Sequence, residues 1–104
     1  MKTQYAQTLT PAEATANRLG WQLTWLPDQD ADVSDLSEQQ LRRLQLGQAH
    51  IGRAVLYDAN HTILATSAGW YLGRHWERAA THRTVLAYLV RQAETALALQ
   101  ERAA

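Results

Sequence analysis

The sequence predicts a small α+β domain over residues 1–104: a three-stranded antiparallel sheet, element order α-β-α-β-β-α, with helices packed on it and a long C-terminal helix. Three observations carry this. Two apolar runs, residues 53–57 and 62–67, flank Asp58-Ala59-Asn60-His61, a hairpin signal. Trp21, Leu23 and Trp25 alternate with Gln22 and Thr24 and stop at Pro27, as a strand with one wet face does. From Trp76 to about Arg102 the apolar residues recur at helical spacing.

In chain order, Thr10-Pro11-Ala12-Glu13 opens a first helix: a threonine cap, proline in the first turn, and a glutamate placed to complete a capping box. Gly20 stands where a C-terminal glycine belongs, which bounds the helix at 11–19. The strand 21–26 follows. Residues 27–35 then form an acidic loop, and Asp28, Asp30, Asp32 and Asp35 with Glu38 make half of the ten acids. Asp28-x-Asp30-x-Asp32 matches the first positions of a calcium-binding loop. The sixth position, however, is Val33 rather than glycine, and the twelfth is Gln39 rather than glutamate. Ser37-Glu38-Gln39-Gln40 is a second capping box, stapled by Leu36 and Leu41, and it opens a helix over 38–46 that buries Leu41 and Leu44 and closes at Gly47.

For the hairpin, a two-residue loop would force Ala59 to positive φ, so a three-residue loop 58–60 with Asn60 left-handed is expected. That pairs Tyr57 with His61, Val55 with Ile63 and Arg53 with Ala65. Both faces of the hairpin are partly apolar and call for cover. Residues 66–72 fit either a longer strand or, if Gly69 breaks it, a helix beginning near Trp70. The final helix offers Val85, Leu86, Leu89, Val90, Ala93, Ala96 and Leu97 on one face. At roughly 25 residues it spans about 37 Å, against a radius of gyration of about 13 Å for a domain of this size. It therefore overhangs its own core.

Composition excludes several functions. The 104 residues carry no cysteine, so there is no disulfide framework, thiolate metal site or cysteine nucleophile. No apolar run approaches the roughly 20 residues that span a bilayer, and the first residues lack the apolar core of a signal peptide, so a cytoplasmic place without membrane contact is expected. His75 and His82 lie about 10.5 Å apart along a helix, too far to share one metal. No nucleophile elbow surrounds Ser34, Ser37 or Ser67, and Gly69-x-x-x-Gly73 lacks the lysine of a phosphate loop. An enzyme, a cofactor and a metal site are thus not expected.

Two candidate binding regions remain. Trp70, Tyr71, Arg74, His75, Arg78, His82 and Arg83 form an aromatic and basic junction. Arginine forks suit phosphate or carboxylate, aromatic rings suit stacked bases, and Arg74, Arg78 and His82 share one helical stripe. The alternative use of those residues is plain packing of helix on sheet. Leu89, Ala93, Ala96 and Leu97 form the candidate interface of a homodimer. Net charge is zero, which speaks against a bulk binder of nucleic acid, while segregated acidic and basic patches suit protein recognition. Small cysteine-free α+β chains without a catalytic constellation commonly serve as adaptors, regulators or inhibitors, those of mobile elements included. The expected function is a non-enzymatic binding module acting through protein–protein contacts as a homodimer. The alternative is a binder of nucleic acid or a nucleotide-like anion at residues 70–83.

Because the calcium pattern fails at two defining positions, calorimetric titration is expected to show no micromolar calcium binding. Such binding, abolished by Asp30→Asn, would overturn this reading of the acidic loop.

Overall fold

The computed structural model describes residues 9–103, the side chains of His75, Trp76 and Ala103 excepted. The elements are α1 (Pro11–Leu19), β1 (Gln22–Pro27), α2 (Glu38–Gln45), β2 (His50–Tyr57), β3 (Ile63–Leu72) and α3 (His75–Ala103). They make one antiparallel sheet in the order β1-β2-β3, so the fold is the α+β arrangement the sequence predicts.

The two short helices are set by their caps. At α1, the Glu13 N–H donates to Thr10 Oγ1 (3.1 Å) and the Thr10 N–H donates to Glu13 Oε1 (2.9 Å), and the chain leaves through left-handed Gly20. The Thr10 backbone bond, then the Thr10 side-chain bond, then the charge of Arg83 hold the Glu13 carboxyl below its ordinary range. A depressed carboxylate stabilises the fold at neutral pH, and that contribution fades as pH falls through its folded-state value. At α2, Ser37 and Gln40 repeat the box. Gly47 (φ 73°) closes the helix: its N–H donates to the Leu44 carbonyl, and the Gln48 N–H donates to that of Arg43. Leu41 and Leu44 are only half-buried, so α2 is a peripheral helix rather than a core one.

The hairpin differs in register from the expectation. Asp58 is not a loop residue; its N–H donates to the Thr62 carbonyl and closes the ladder. Its carboxylate accepts from the N–H groups of Asn60 (2.8 Å) and Thr62 (2.9 Å). The loop is therefore Ala59-Asn60-His61, and the left-handed residue is His61 (φ 67°), whose ring stacks on Tyr57 at 4.7 Å. Tyr57 consequently faces Ile63, Leu56 faces Ala65 and Val55 faces Thr66.

Two irregularities absorb the difference in length between β2 and β3. At Leu56/Tyr57 the extra residue is Leu64, which lets Leu64 and its neighbour Ala65 both pack against the core. Between Gly52 and Ala54 the extra residue falls at Ala68-Gly69, with Gly69 at φ 79°. Gly69 thus bends β3 without ending it; the strand runs on to Leu72, and the helix starts at His75 rather than near Trp70.

Helices α1 and α3 cover one face of the sheet. The core joins Ala16 of α1, Trp21, Ala54 and Leu56 with Val85, Leu86, Leu89, Val90 and Ala93 of α3. Leu56, Val85 and Leu89 are wholly buried, each contributing roughly 2 kcal/mol of transfer free energy. On the other face Val55 is buried between its cross-strand neighbours Thr24 and Thr66. With 29 residues, α3 is about 43 Å long and extends past this core. The radius of gyration, 15.9 Å, exceeds the compact value accordingly, in a slab 48 × 44 × 21 Å. Among the described residues, no helix is long and apolar enough to cross a membrane.

The hairpin register rests on the Asp58 carboxylate. Asp58→Ala is expected to lower stability by about 1–2 kcal/mol, and Asp58→Asn by less, because its amide oxygen still accepts. Denaturant midpoints check this; equal midpoints for wild type and Asp58→Ala would refute it.

Candidate functional site

The aromatic and basic junction lies where β3 hands over to α3. Trp70 and Tyr71 are neighbours on a strand and point to opposite faces. Trp70 packs against the core, and its indole N–H donates to Ser67 Oγ (2.8 Å). Tyr71 is half-buried, with its hydroxyl buried and unpaired among the described residues. The two rings therefore do not form one stacking platform.

Gly73 is buried, and a Cβ there would lie 3.0 Å from Tyr71 Cε1 and collide with the Glu77 carboxylate. That carboxylate is the organiser of the junction. It accepts from the Arg74 N–H at the helix N-terminus (2.7 Å) and pairs with Arg43 of α2 (3.7 Å). Arg74 is exposed in the cap position. Arg78 folds back so that its Nε–H donates to the Gly73 carbonyl (2.8 Å). His82, one turn on, faces inward: its Nδ1 accepts the Trp25 indole N–H at 3.2 Å, with ring centroids 6.5 Å apart. Arg83 is exposed toward the α1 side, where its charge acts on Glu13. The His75 side chain lies outside the described residues. The stripe of Arg74, Arg78 and His82 thus exists as a helical row, but each member has a separate local task.

The acidic loop adjoins the same junction. The Asp28 N–H donates to the Ile51 carbonyl, and its carboxylate accepts from the Gly69 N–H (2.9 Å), just before Trp70. Asp32 accepts from the Ser34 N–H (2.9 Å), which lowers its carboxyl below the ordinary range. No three carboxylates or imidazoles converge on a metal-sized space among the described residues.

The candidate interface divides. Leu89 and Ala93 are consumed by the protein's own core and cannot face a second subunit; Ala96 and Leu97 remain exposed. The free apolar row lies one stripe over, at Tyr88 (50% exposed) and Leu99 (59% exposed), along a groove of about 520 Å³ that α3 forms with Leu64 and Ala65 of β3. Between Tyr88 and Leu99 the groove is lined by Gln92 and Thr95, so apolar periodicity in the sequence does not mark this row. A second groove, about 480 Å³, joins Trp25 and Leu72 to Arg78, Ala79 and His82. Nothing local marks it, since it brings together residues 57 apart in sequence.

No protein-family model matches the chain, and neither the curated proteins nor the solved structures contain a match to it.

The Trp25–His82 bond is the longest-range side-chain hydrogen bond at the site. His82→Leu leaves the half-buried indole N–H without its acceptor, at an expected cost of about 1–2 kcal/mol. The Trp25 indole proton should also shift and exchange faster in NMR spectra; an unchanged indole resonance in the variant speaks against the bond.

Proposed function

We propose that the chain is a non-enzymatic binding module, an adaptor, regulator or inhibitor, that works through protein–protein contacts as a homodimer. The observation that carries this reading is the edge formed by β3. It is ten residues long, it lies at the outside of the sheet, and from Ile63 to Leu72 it contains neither a charge nor a proline. Proteins ordinarily blunt such an edge with charge, proline, bulges or a covering segment, because its unpaired amides and carbonyls template another strand. Here bulges at Leu64 and at Ala68-Gly69 interrupt the strand, but neither charge nor proline does. Beside it runs the exposed apolar row of α3, and Ile63 at its start is 57% exposed.

A second copy suits both features at once. Antiparallel pairing of β3 with its symmetry mate continues the sheet across a two-fold axis and brings the C-terminal half of α3 alongside its counterpart, which is the self-complementary geometry of an isologous dimer. Tyr88 and Leu99 then leave water together. The anion-binding alternative is weakened by the Asp28 and Glu77 carboxylates beside the basic junction, because they offset the field a polyanion would need.

Light scattering is expected to give a dimer at tens of micromolar protein. Leu99→Glu should dissociate it while leaving the far-ultraviolet circular dichroism of a folded chain, because Leu99 is outside the core. A strictly monomeric wild type at high micromolar concentration overturns the homodimer. Salt-sensitive binding of a labelled oligonucleotide by wild type would instead favour the nucleic-acid reading.

A further inference from the structure

The groove between Trp25 and the first turns of α3 has a chemical bias that the dimer reading does not use. Its walls are apolar: the Trp25 ring, Leu72 and the Ala79 methyl. Its polar side chains are Arg78 and His82, and both are fixed. The Gly73 carbonyl anchors Arg78 through Nε, and the two terminal nitrogens of the guanidinium have no partner among the described residues. The Trp25 indole occupies Nδ1 of His82 as donor, so that nitrogen carries the lone pair and the ring proton sits on Nε2, which has no partner among the described residues. Neither side chain has an acceptor to offer a ligand. The nearest carboxylate in sequence, Glu77, is turned to the Arg74 N–H and to Arg43 and makes no ion pair with Arg78 among the described residues.

We propose that this groove binds a small planar apolar molecule bearing one carboxylate, its ring against Trp25 and Leu72 and its carboxylate on the Arg78 guanidinium. A volume of about 480 Å³ lies within the range of small-ligand clefts. The forked guanidinium matches the two oxygens of a carboxylate. The preference for a single negative charge follows from the other end of the depression. Trp25 and Leu72 also line an adjoining hollow of about 470 Å³ that contains Asp28. That carboxylate, in the neighbouring hollow, repels a dianion or polyanion at Arg78 more than a monoanion.

The test uses the full chain and four probes of matched size: phenylacetate, its neutral amide phenylacetamide, phenyl phosphate and toluene. Binding is read from the Trp25 indole N–H in two-dimensional NMR, assigned with Trp25→Phe. Phenylacetate is expected to shift that resonance with a dissociation constant below about 1 mM. Phenylacetamide and toluene should bind at least tenfold more weakly, and phenyl phosphate should be weaker than phenylacetate. Arg78→Gln should cost phenylacetate at least tenfold and leave toluene unaffected. Equal binding of phenylacetate and phenylacetamide to wild type overturns the proposal without recourse to any variant. Tighter binding of phenyl phosphate overturns it, and so does the absence of any shift at 10 mM phenylacetate. All of these outcomes are independent of whether the chain dimerises.

Discussion

The core of this protein is built on the face of β2 that carries Gly52, Ala54 and Leu56. A Cβ at Gly52 would stand 2.8 Å from Leu72 Cδ1 and 3.0 Å from Trp25 Cε3, so only a hydrogen there lets the two flanking strands close their side chains over the middle one. Ala54, wholly buried, keeps the centre of the sheet low enough for α3 to lie against it, and Leu56 fills the far end among Val85 and Leu89. The sequence of sizes along β2, nothing then methyl then isobutyl, shapes the surface on which α3 rests. Trp25 is tilted over the glycine end, and that places its indole N–H within reach of His82.

What was legible in the sequence is what is decided locally. Thr10 with Glu13 and Ser37 with Gln40 state where α1 and α2 begin, because each cap is settled within four residues. Trp21, Leu23 and Trp25 announce a half-buried strand by alternation alone. The hairpin register escaped because two competing local choices were close. Asparagine is the better left-handed residue, yet Asp58 gains two N–H donors by standing outside the loop, and His61 gains the Tyr57 ring by taking the strained position. The continuation of β3 through Gly69 was one of two open readings, because a glycine reads alike as a break and as a bulge.

The site was less legible than the fold, for a related reason. Helical periodicity finds the apolar arc of α3 but not its partition between the core and the surface. Leu89 and Ala93 fall inside because β2 and β3 lie beneath them, while Tyr88 and Leu99, on the flank, do not. Likewise the arginines of the junction look like one patch in the sequence, and only the packed chain reveals Glu77 drawn between Arg43 and the start of α3, or His82 turned toward an indole on the opposite edge of the sheet. The acidic loop, remote from the junction in sequence, reaches it through Asp28 and Gly69. Opposite charges meet at this corner of the fold.

The order of the chain adds a kinetic consequence. The sheet's aromatic face, with Trp21, Leu23 and Trp25, precedes by fifty residues and more the helix that covers it. During synthesis at about 5–20 residues per second, the 29 residues of α3 take roughly 1–6 s to follow the hairpin out. For that interval a nascent three-stranded sheet has Trp21, Trp25 and Trp70 uncovered by α3 and an uncharged outer strand unpaired. The nascent chain is thus most open to misassociation while α3 is still incomplete.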